Sequence, residues 1–289
     1  MNMDPKLMQQ NYRLPFMIRK SLAPYAGDFS HKWQEIRHNK HVGQASQLAA
    51  GVLLLLCHRG GHISDPREPG AWVLQLIKRS SQVSQGGDIS CPGGMLHPLI
   101  DWAFSLFFIR SGVLPCSPLS FGSTRTLPPS VSNNINSLFL ANALRESWEE
   151  LHLNPLHISL LGSLPTYSLH LFRRTIFPLV AIARKDWTPI PNREVDKIIE
   201  IPLANFFRED SYGKYMIQAS ETLPTSDQGP WEFPCLIHED DGGEEILWGA
   251  TFYIIMSFLR IVFDFHLPDL YSQRIRKKTL NPDYLSGNR

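Results

Sequence analysis

The chain has 289 residues, of which 43% are hydrophobic and 19% charged, enough to bury a full hydrophobic core in one enlarged domain. A formal net charge of +1 gives no electrostatic basis for binding nucleic acid or an anionic membrane. The four cysteines show no CxxC or Cys/His pattern, no signal-peptide pattern begins at Met1, and no apolar run is long enough to span a bilayer. We therefore predict a cytoplasmic protein that binds neither nucleic acid nor membrane.

The first part of the chain predicts a helical extension followed by two paired strands. Residues 1–46 contain scattered prolines and basic residues, which favours one or two short helices. Residues 51–57 form a continuous apolar run, typical of a strand that is buried on both faces. Residues 71–78 predict its antiparallel partner, since a turn-rich segment separates the two runs.

A polar segment with two glycine pairs follows these strands. Gly86-Gly87 and Gly93-Gly94 mark places where the backbone turns tightly or approaches a ligand, although a plain turn is the commoner explanation of any one pair. Arg79, at the start of the segment, is a candidate for binding a phosphate group. An ion pair with Asp88 is the structural alternative.

The next stretch combines an apolar helix with a long loop. Residues 99–109 predict an aromatic-rich helix, and residues 114–134 form a loop rich in Pro, Ser and Asn. A loop of this length is more often functional or mobile than inert. The sequence leaves three interpretations of the helix open: a lid near a binding site, a contact in a homodimer, or extra cover for the core.

The strongest chemical signal lies in residues 141–153, ANALRESWEELHL. Glu146, Glu149 and Glu150 stand at i, i+3 and i+4, so a helix would present them on one face. Like charges repel, and such a face is favourable only when it is solvated or surrounds a cation. Mg²⁺ and Mn²⁺ prefer oxygen ligands and often bind a few carboxylates together with substrate phosphates. The cluster therefore predicts a metal site for phosphate chemistry, with a solvated acidic surface as the alternative.

The rest of the chain predicts the remaining strands and a covering helix. Residues 157–165 and 167–183 alternate loops with apolar strands that would complete a mixed sheet. Residues 248–265 predict an apolar helix that closes the structure. Residues 267–289 are predominantly polar and predict a tail.

Two separate motifs together resemble one enzyme family. Residues 145–153 (RESWEELHL) and residues 92–94 (PGG) resemble the signature of the Nudix hydrolases. Ser147 stands where the signature has an apolar residue, and His152 stands where it has a glycine. Both departures leave the three carboxylates in place.

Further segments resemble one branch of that family, the coenzyme A diphosphatases. They are residues 79–94, residues 194–203 and residues 248–251. The two parts of the signature are much further apart here than in the family, which implies an insert at about residues 99–135. The insert removes the loop glutamate of the signature, and Asp101 is the nearest candidate to replace it.

The resemblance implies an α/β fold, the Nudix α/β/α sandwich with a mixed central sheet. This domain would cover residues 47–266, between an N-terminal helical extension (residues 1–46) and a polar C-terminal tail (residues 267–289). It also implies Mg²⁺ or Mn²⁺ as the cofactor.

The resemblance also assigns roles to individual residues. Glu149 and Glu150 would be the chief metal ligands, with the Gly93 carbonyl completing the coordination. Glu146 would be a further ligand or the base that activates water, and the sequence does not decide which glutamate is the base. Arg145 would hold a neighbouring carboxylate in place. The residues assigned to catalysis are Glu146, Glu149 and Arg145, and those assigned to substrate binding are Arg79, Gly94 and Glu194, the last with Glu232 as an alternative.

Three functions follow from these assignments. The first is a metal-dependent diphosphatase that splits coenzyme A or acyl-coenzyme A into 3′,5′-ADP and a phosphopantetheine. The second cuts another small nucleotide, such as ADP-ribose or a dinucleotide. The third is a non-catalytic binding or interaction module, against which the retention of all three helix glutamates argues. A homodimer remains open.

Overall fold

A computed structural model describes residues 13–41, 47–60, 70–111, 134–169, 173–184, 187–219, 230–270, 274–280 and 284. The helices are α1 (Leu14–Leu22), α2 (Asp28–His41), α3 (Pro98–Ser111), α4 (Asn134–Leu151) and α5 (Gly249–Phe263). The strands are β1 (Leu48–Arg59), β2 (Ala71–Arg79), β3 (Ile89–Ser90), β4 (Gly93–Met95), β5 (Ile158–Ser163), β6 (Tyr167–Leu169), β7 (Arg174–Ala183), β8 (Val195–Pro202), β9 (Tyr212–Ala219), β10 (Trp231–Asp240), β11 (Gly243–Trp248) and β12 (Arg274–Leu280).

The central sheet is built around β1. This strand pairs antiparallel with β2, as predicted, and parallel with β7, so the sheet is mixed. The apolar run of β1 is buried on both faces, because Leu53 and Leu55 pack into one helical layer while Leu54 and Leu56 pack into the other. β5 and β6 pair with β7, and β8 pairs with β2.

Helices cover both faces of this sheet, which confirms the predicted α/β/α sandwich. α2 and α4 cover one face, where Phe139 stacks on Phe177 with ring centroids 3.6 Å apart and Phe29 meets both rings edge-on. α1 and α5 cover the other face, through fully buried residues that include Ile18 and Phe258. The two helices within residues 1–46, where one or two short helices were predicted, therefore both contribute side chains to the core.

A gap between β1 and β2 positions the second glycine pair. The two strands pair as far as Leu55 and Gln75, and beyond this point β3 and β4 lie between them. β3 pairs with the end of β2, while β4 pairs with the start of β1, where Gly94 is opposite Gly51. The Gly93-Gly94 backbone is therefore held in the sheet, beside α4.

A second sheet, in the order β11-β10-β9-β12, was not predicted. Its last strand lies within residues 267–289, so the description of that whole segment as a tail was wrong. The sequence of β12, RIRKKTL, has no regular apolar alternation. This strand is held by main-chain pairing with β9 and by ion pairs instead. Arg276 pairs with Glu244 at 2.6 Å, and Lys278 pairs with Asp88 at 2.7 Å.

The helix predicted at residues 99–109 is α3. Asp101, Ser105 and Phe108 form its buried stripe, whereas Trp102 and Phe107 are each 58% exposed. Most of the loop predicted at residues 114–134 lies outside the described residues. Among the described helices, none combines the length and the hydropathy that crossing a membrane requires.

Candidate active site

Three glutamates lie in the last two turns of α4, and they differ in exposure. The opposite side of α4 packs into the core through residues such as Leu140 and Leu144, which turns the acidic side outward. The Glu149 side chain is 53% exposed and the Glu146 side chain 21%, while Glu150 is only 6% exposed. A fully solvated acidic face does not describe this helix, because one carboxylate is buried and a second is mostly buried.

The buried and mostly buried carboxylates lie against the glycine pair. The Gly93 N–H donates a 2.9 Å hydrogen bond to Oε2 of Glu150. A Cβ atom added to Gly94 would lie 2.5 Å from the Glu146 carboxyl, so a side chain at this position would push that carboxylate aside. Gly93 has a φ of +137°, and a side chain there would overlap the backbone of β1. The doubled glycine is therefore what allows α4 to bring its acids onto the sheet.

Arg145 neutralises part of the acidic cluster. Its guanidinium contacts Glu146 at 2.8 Å and Glu149 at 3.0 Å. Nε of Arg145 also donates to Asp101 at 2.7 Å. Burial disfavours the charge of Arg145, but the hydrogen bonds to Asp101 and Glu149 outweigh it and raise the pKa of this guanidinium. Arg145 thus contacts three carboxylates at once, those of Asp101, Glu146 and Glu149.

Asp101 supports Arg145 from within the core. The carboxylate is 0% exposed, and it accepts hydrogen bonds from the His97 N–H at 2.7 Å and from Nδ2 of Asn142 at 3.1 Å. Arg145 is the third partner of the Asp101 carboxylate, so the oxygens of Asp101 are engaged by hydrogen-bond donors. The residue from the insert thus positions Arg145 and is not placed as a metal ligand.

The electrostatics single out Glu150. Burial raises the pKa of its carboxyl to about 8, against the hydrogen bond from Gly93 and the positive charge of Arg79. Burial also raises the pKa of Glu146, where Arg145 opposes the shift. No Lys, Arg or His side chain among the described residues forms an ion pair with Glu150 within 4.0 Å. This carboxylate therefore lacks the compensating cation that a buried negative charge normally has.

The candidate substrate-binding residues are placed differently. Arg79 and Glu194 both lie near enough to Glu150 for their charges to influence its pKa. Nε of Arg79 donates to the Ser84 carbonyl at 3.0 Å. Glu194 is exposed, and its carbonyl accepts from the Ser80 N–H at 2.8 Å, which ties the start of β8 to the end of β2.

Two alternatives suggested by the sequence, Glu232 as a substrate-binding residue and an Arg79–Asp88 ion pair, involve acids that pair with other residues. Glu232 lies on β10 and pairs with Lys214 at 2.9 Å, within the second sheet. The Asp88 carboxylate binds Lys278, Nε1 of Trp248 and the Tyr284 hydroxyl, so the suggested Arg79–Asp88 ion pair was wrong.

The two departures from the signature are accommodated locally. Ser147 is fully buried, and its hydroxyl donates to the Ala143 carbonyl one turn earlier at 2.7 Å. His152 has a φ of +53°, the left-handed conformation that favours glycine and that ends α4. Its ring Nδ1 lies 3.1 Å from the Ile190 carbonyl, a contact that glycine would not make. Neither change displaces a glutamate.

Sequence reasoning missed one residue at the site, Asn142. Asn142 is 0% exposed and links three segments, because it accepts from the Gly51 N–H at 2.6 Å and donates to the Met95 carbonyl and to Asp101. A single asparagine within the apolar run LFLANAL was the available signal.

The side chains present suit a hard divalent cation, but they do not enclose one as they stand. Among the described residues, no group of three or more His, Cys, Asp or Glu side chains is arranged to hold a metal ion. Arg145 forms ion pairs with Glu146 and Glu149, and the Glu150 carboxylate accepts a hydrogen bond from the Gly93 N–H. The donor set is nevertheless all oxygen, and the uncompensated Glu150 would gain from a nearby cation. Rotamer changes at Glu146 and Glu149 would complete the set.

No protein-family model matches the chain. No curated protein matches it either. Among solved structures it is similar to a Nudix hydrolase from M. smegmatis, RenU, at 16% identity and a TM-score of 0.32 over 54% of this chain and 71% of that one. It is similar to the NUDIX domain of Shewanella oneidensis NrtR complexed with ADP ribose, at 14% identity and a TM-score of 0.31 over 56% of this chain and 77% of that one. It is also similar to a NUDIX hydrolase from Alicyclobacillus acidocaldarius, at 13% identity and a TM-score of 0.33 over 56% of this chain and 82% of that one. Similarity this low establishes neither a family nor a function for the chain.

Proposed function

We propose that the protein is a metal-dependent hydrolase of a phosphoric anhydride bond. The observation that carries the proposal is Glu150, a buried carboxylate with a raised pKa, held against Gly93 and beside Glu146. A buried carboxylate without a cation destabilises the folded protein, and such an arrangement is typical of a functional site. Phosphoric anhydrides need cations for cleavage, since their anionic oxygens repel a nucleophile.

The side chains of α4 would share the chemistry. Glu146, Glu149 and Glu150, with the Gly93 carbonyl, would hold Mg²⁺ or Mn²⁺, which would neutralise phosphate charge and lower the pKa of a bound water. Arg145, fixed by Asp101, restrains the rotamers of Glu146 and Glu149. Either Glu146 or Glu149 would accept the proton of the attacking water, because both side chains are more exposed than that of Glu150.

We further propose coenzyme A or an acyl-coenzyme A as the substrate, which would yield 3′,5′-ADP and a phosphopantetheine. The support is the sequence resemblance of the segments that contain Arg79, Glu194 and Trp248 to that branch. A further support is that the charges of Arg79 and Glu194 both act on the pKa of Glu150. Arg79 and the Gly94 backbone would then contact the anhydride phosphates.

A substrate panel with product identification tests this proposal. Purified protein is incubated with Mg²⁺ or Mn²⁺ and with coenzyme A species, ADP-ribose and dinucleotides, and the products are identified by mass spectrometry. Release of 3′,5′-ADP from coenzyme A supports the preferred substrate, and turnover of another nucleoside diphosphate compound alone moves the assignment to that compound. No turnover on the whole panel would favour a binding module and contradict the enzymatic proposal.

A further inference from the structure

The side chain of Asp88 is held by three donors from the C-terminal part of the chain. Its Oδ1 atom accepts hydrogen bonds from Nζ of Lys278 at 2.7 Å and from Nε1 of Trp248 at 3.2 Å. Its Oδ2 atom accepts a hydrogen bond from the Tyr284 hydroxyl. Nζ of Lys278 also lies 4.8 Å from the ring centroid of Tyr284 and 5.9 Å from that of Trp248, which adds cation–π contacts. Lys278, Trp248 and Tyr284 together form a clasp on Asp88.

The clasp also fixes the loop that precedes Asp88, residues 80–88. The Gln85 N–H donates to the Tyr284 carbonyl at 2.6 Å. Gln85 has a φ of +58°, in the left-handed region that residues other than glycine rarely adopt. Such a conformation persists only where the surrounding structure determines it. The conformation of the loop therefore depends on two attachments to the clasp, one at the Gln85 main chain and one at the Asp88 carboxylate.

This loop in turn orients Arg79, the candidate substrate-binding arginine. Nε of Arg79 donates to the Ser84 carbonyl at 3.0 Å, which fixes one side of the guanidinium group. The main-chain N–H of Arg79 donates to the Asp88 carbonyl at 3.0 Å, and its carbonyl accepts from the Gly87 N–H at 2.8 Å. The pairing of β2 with β8 shifts register just before Arg79. Contacts with the loop, more than regular strand pairing, therefore set the direction of this side chain.

Hydrogen bonds also connect the loop to α4. The Ser80 N–H donates to the Glu194 carbonyl at 2.8 Å, and the Glu194 N–H donates to Oδ1 of Asn192 at 2.8 Å. The Asn192 N–H donates to the Glu150 carbonyl at 2.9 Å. A continuous series of contacts thus joins the residue that follows Arg79 to the end of the helix that carries the glutamates.

We propose that Lys278 and Tyr284, acting through Asp88, position Arg79 for the substrate. The inference rests on the proposed function, which it deepens by assigning positioning residues that lie outside the sandwich. Lys278 belongs to β12, so the second sheet takes part in substrate binding without touching the substrate. Loss of the clasp lowers substrate affinity more than the rate of bond cleavage, because the groups assigned to cleavage lie on α4.

Hydrogen–deuterium exchange in EDTA measures how firmly the clasp holds the loop, without requiring metal or turnover. The full chain is compared with Lys278→Met and with Arg276→Met, the matched control. Arg276 lies two residues earlier on β12 and forms a partly buried ion pair with Glu244 instead of Asp88. We expect Lys278→Met to speed exchange in residues 80–88 by about tenfold, because a charged hydrogen bond is lost, and Arg276→Met to leave it unchanged.

Tyr284→Phe is the second clasp variant. It removes the hydroxyl bond to Asp88 but keeps the ring and the main-chain bond to Gln85, so it should speed exchange in the same residues by less than Lys278→Met does. If Lys278→Met does not fold, the comparison of Tyr284→Phe with Arg276→Met decides.

Steady-state kinetics on the substrate identified by the panel tests whether the clasp acts through Arg79. We expect Lys278→Met to raise KM by about tenfold with little change in kcat, and Arg276→Met to leave both constants unchanged. In an Arg79→Ala background, Lys278→Met should add little further, because the effects of residues that act through one another are not additive.

The two measurements separate this inference from the proposed function. Equal exchange in the clasp variants and in Arg276→Met would overturn the clasp, whether or not the protein hydrolyses anything. Faster exchange with an unchanged KM, or full additivity of Lys278→Met with Arg79→Ala, would overturn the positioning of Arg79. Faster exchange together with no hydrolysis on the whole panel would leave the clasp standing and remove only the enzymatic proposal.

Discussion

At the scale of single residues, the contacts of Asp101 explain how a helix can carry three neighbouring acids. Asp101 fixes Arg145, and Arg145 in turn bridges Glu146 and Glu149. Glu150 alone has no such partner among the described residues and is buried instead. The cluster thus divides into two compensated carboxylates and one whose charge is costly to the fold.

The Asp101 contact predicts a large effect on stability. Asp101→Asn removes the buried charge opposite Arg145, and we expect the free energy of unfolding to fall by about 3 kcal/mol, measured by urea denaturation. Asp196→Asn, at an exposed carboxylate on β8, is the control and should change it by less than about 0.5 kcal/mol. Equal effects of the two substitutions would mean that the Asp101–Arg145 pair contributes nothing to stability.

The raised pKa of Glu150 predicts how stability depends on pH when metal is chelated. The folded protein keeps this proton up to about pH 8, whereas the unfolded chain loses it near the ordinary value of 4.5. The folded state therefore binds more protons in this interval, and the free energy of unfolding falls as the pH rises through it. Glu150→Gln removes this penalty, so the variant should gain stability relative to the unaltered protein between about pH 5 and about pH 9.

Thermal unfolding in EDTA measures this difference. Glu209→Gln, at an exposed glutamate, corrects for the general effect of removing one negative charge. A stability difference for Glu150→Gln that does not change with pH, after this correction, would show that Glu150 titrates normally.

At the scale of elements, the approach of α4 to β4 determines the geometry of the site. A Cβ at Gly94 would lie 2.5 Å from the Glu146 carboxyl, so Gly94→Ala should displace that side chain. We expect kcat/KM to fall by about 100-fold, since catalysis tolerates little misplacement of its groups. Gly27→Ala is a matched control, because no atom lies within 4 Å of the added Cβ.

Steady-state kinetics on the substrate identified by the panel measures both variants. Equal activity of Gly94→Ala and Gly27→Ala would show that the position of Glu146 against Gly94 is irrelevant to turnover. Circular dichroism would verify that both variants are folded before their rates are compared.

The elements show why some features were predictable and others were not. The run at residues 51–57 and the apolar helix at residues 248–265 carry their own hydrophobic patterns, and the structure has a strand and a helix there. β12 carries no such pattern, since its pairing with β9 uses the main chain.

At the scale of the whole molecule, the second sheet joins the C-terminal residues to the loop near the site. The Asp88 carboxylate accepts hydrogen bonds from Lys278 and from Nε1 of Trp248, so β12 and the end of β11 both contact the segment that follows Arg79. The chain is therefore a sandwich with an attached sheet rather than a sandwich with a loose tail.

Removing residues 271–289 tests this connection. The truncation deletes β12 and the Lys278–Asp88 ion pair, and it leaves β9 as an unpaired sheet edge. We expect a lower free energy of unfolding and concentration-dependent self-association, because exposed edges template further strand pairing. Calorimetry and sedimentation velocity measure the two effects. A truncated chain that is as stable and as monodisperse as the full one would mean that β12 is dispensable.

The position of a bound cation tests the central claim most directly. Crystals of the protein grown or soaked with Mn²⁺ are measured at a wavelength where manganese scatters anomalously. The account predicts an anomalous peak coordinated by carboxylate oxygens from at least two of Glu146, Glu149 and Glu150, next to Gly93, and no such peak in Glu149→Gln crystals treated in the same way. Manganese bound only elsewhere, or no peak at all while Arg145 keeps its contacts with Glu146 and Glu149, would contradict it.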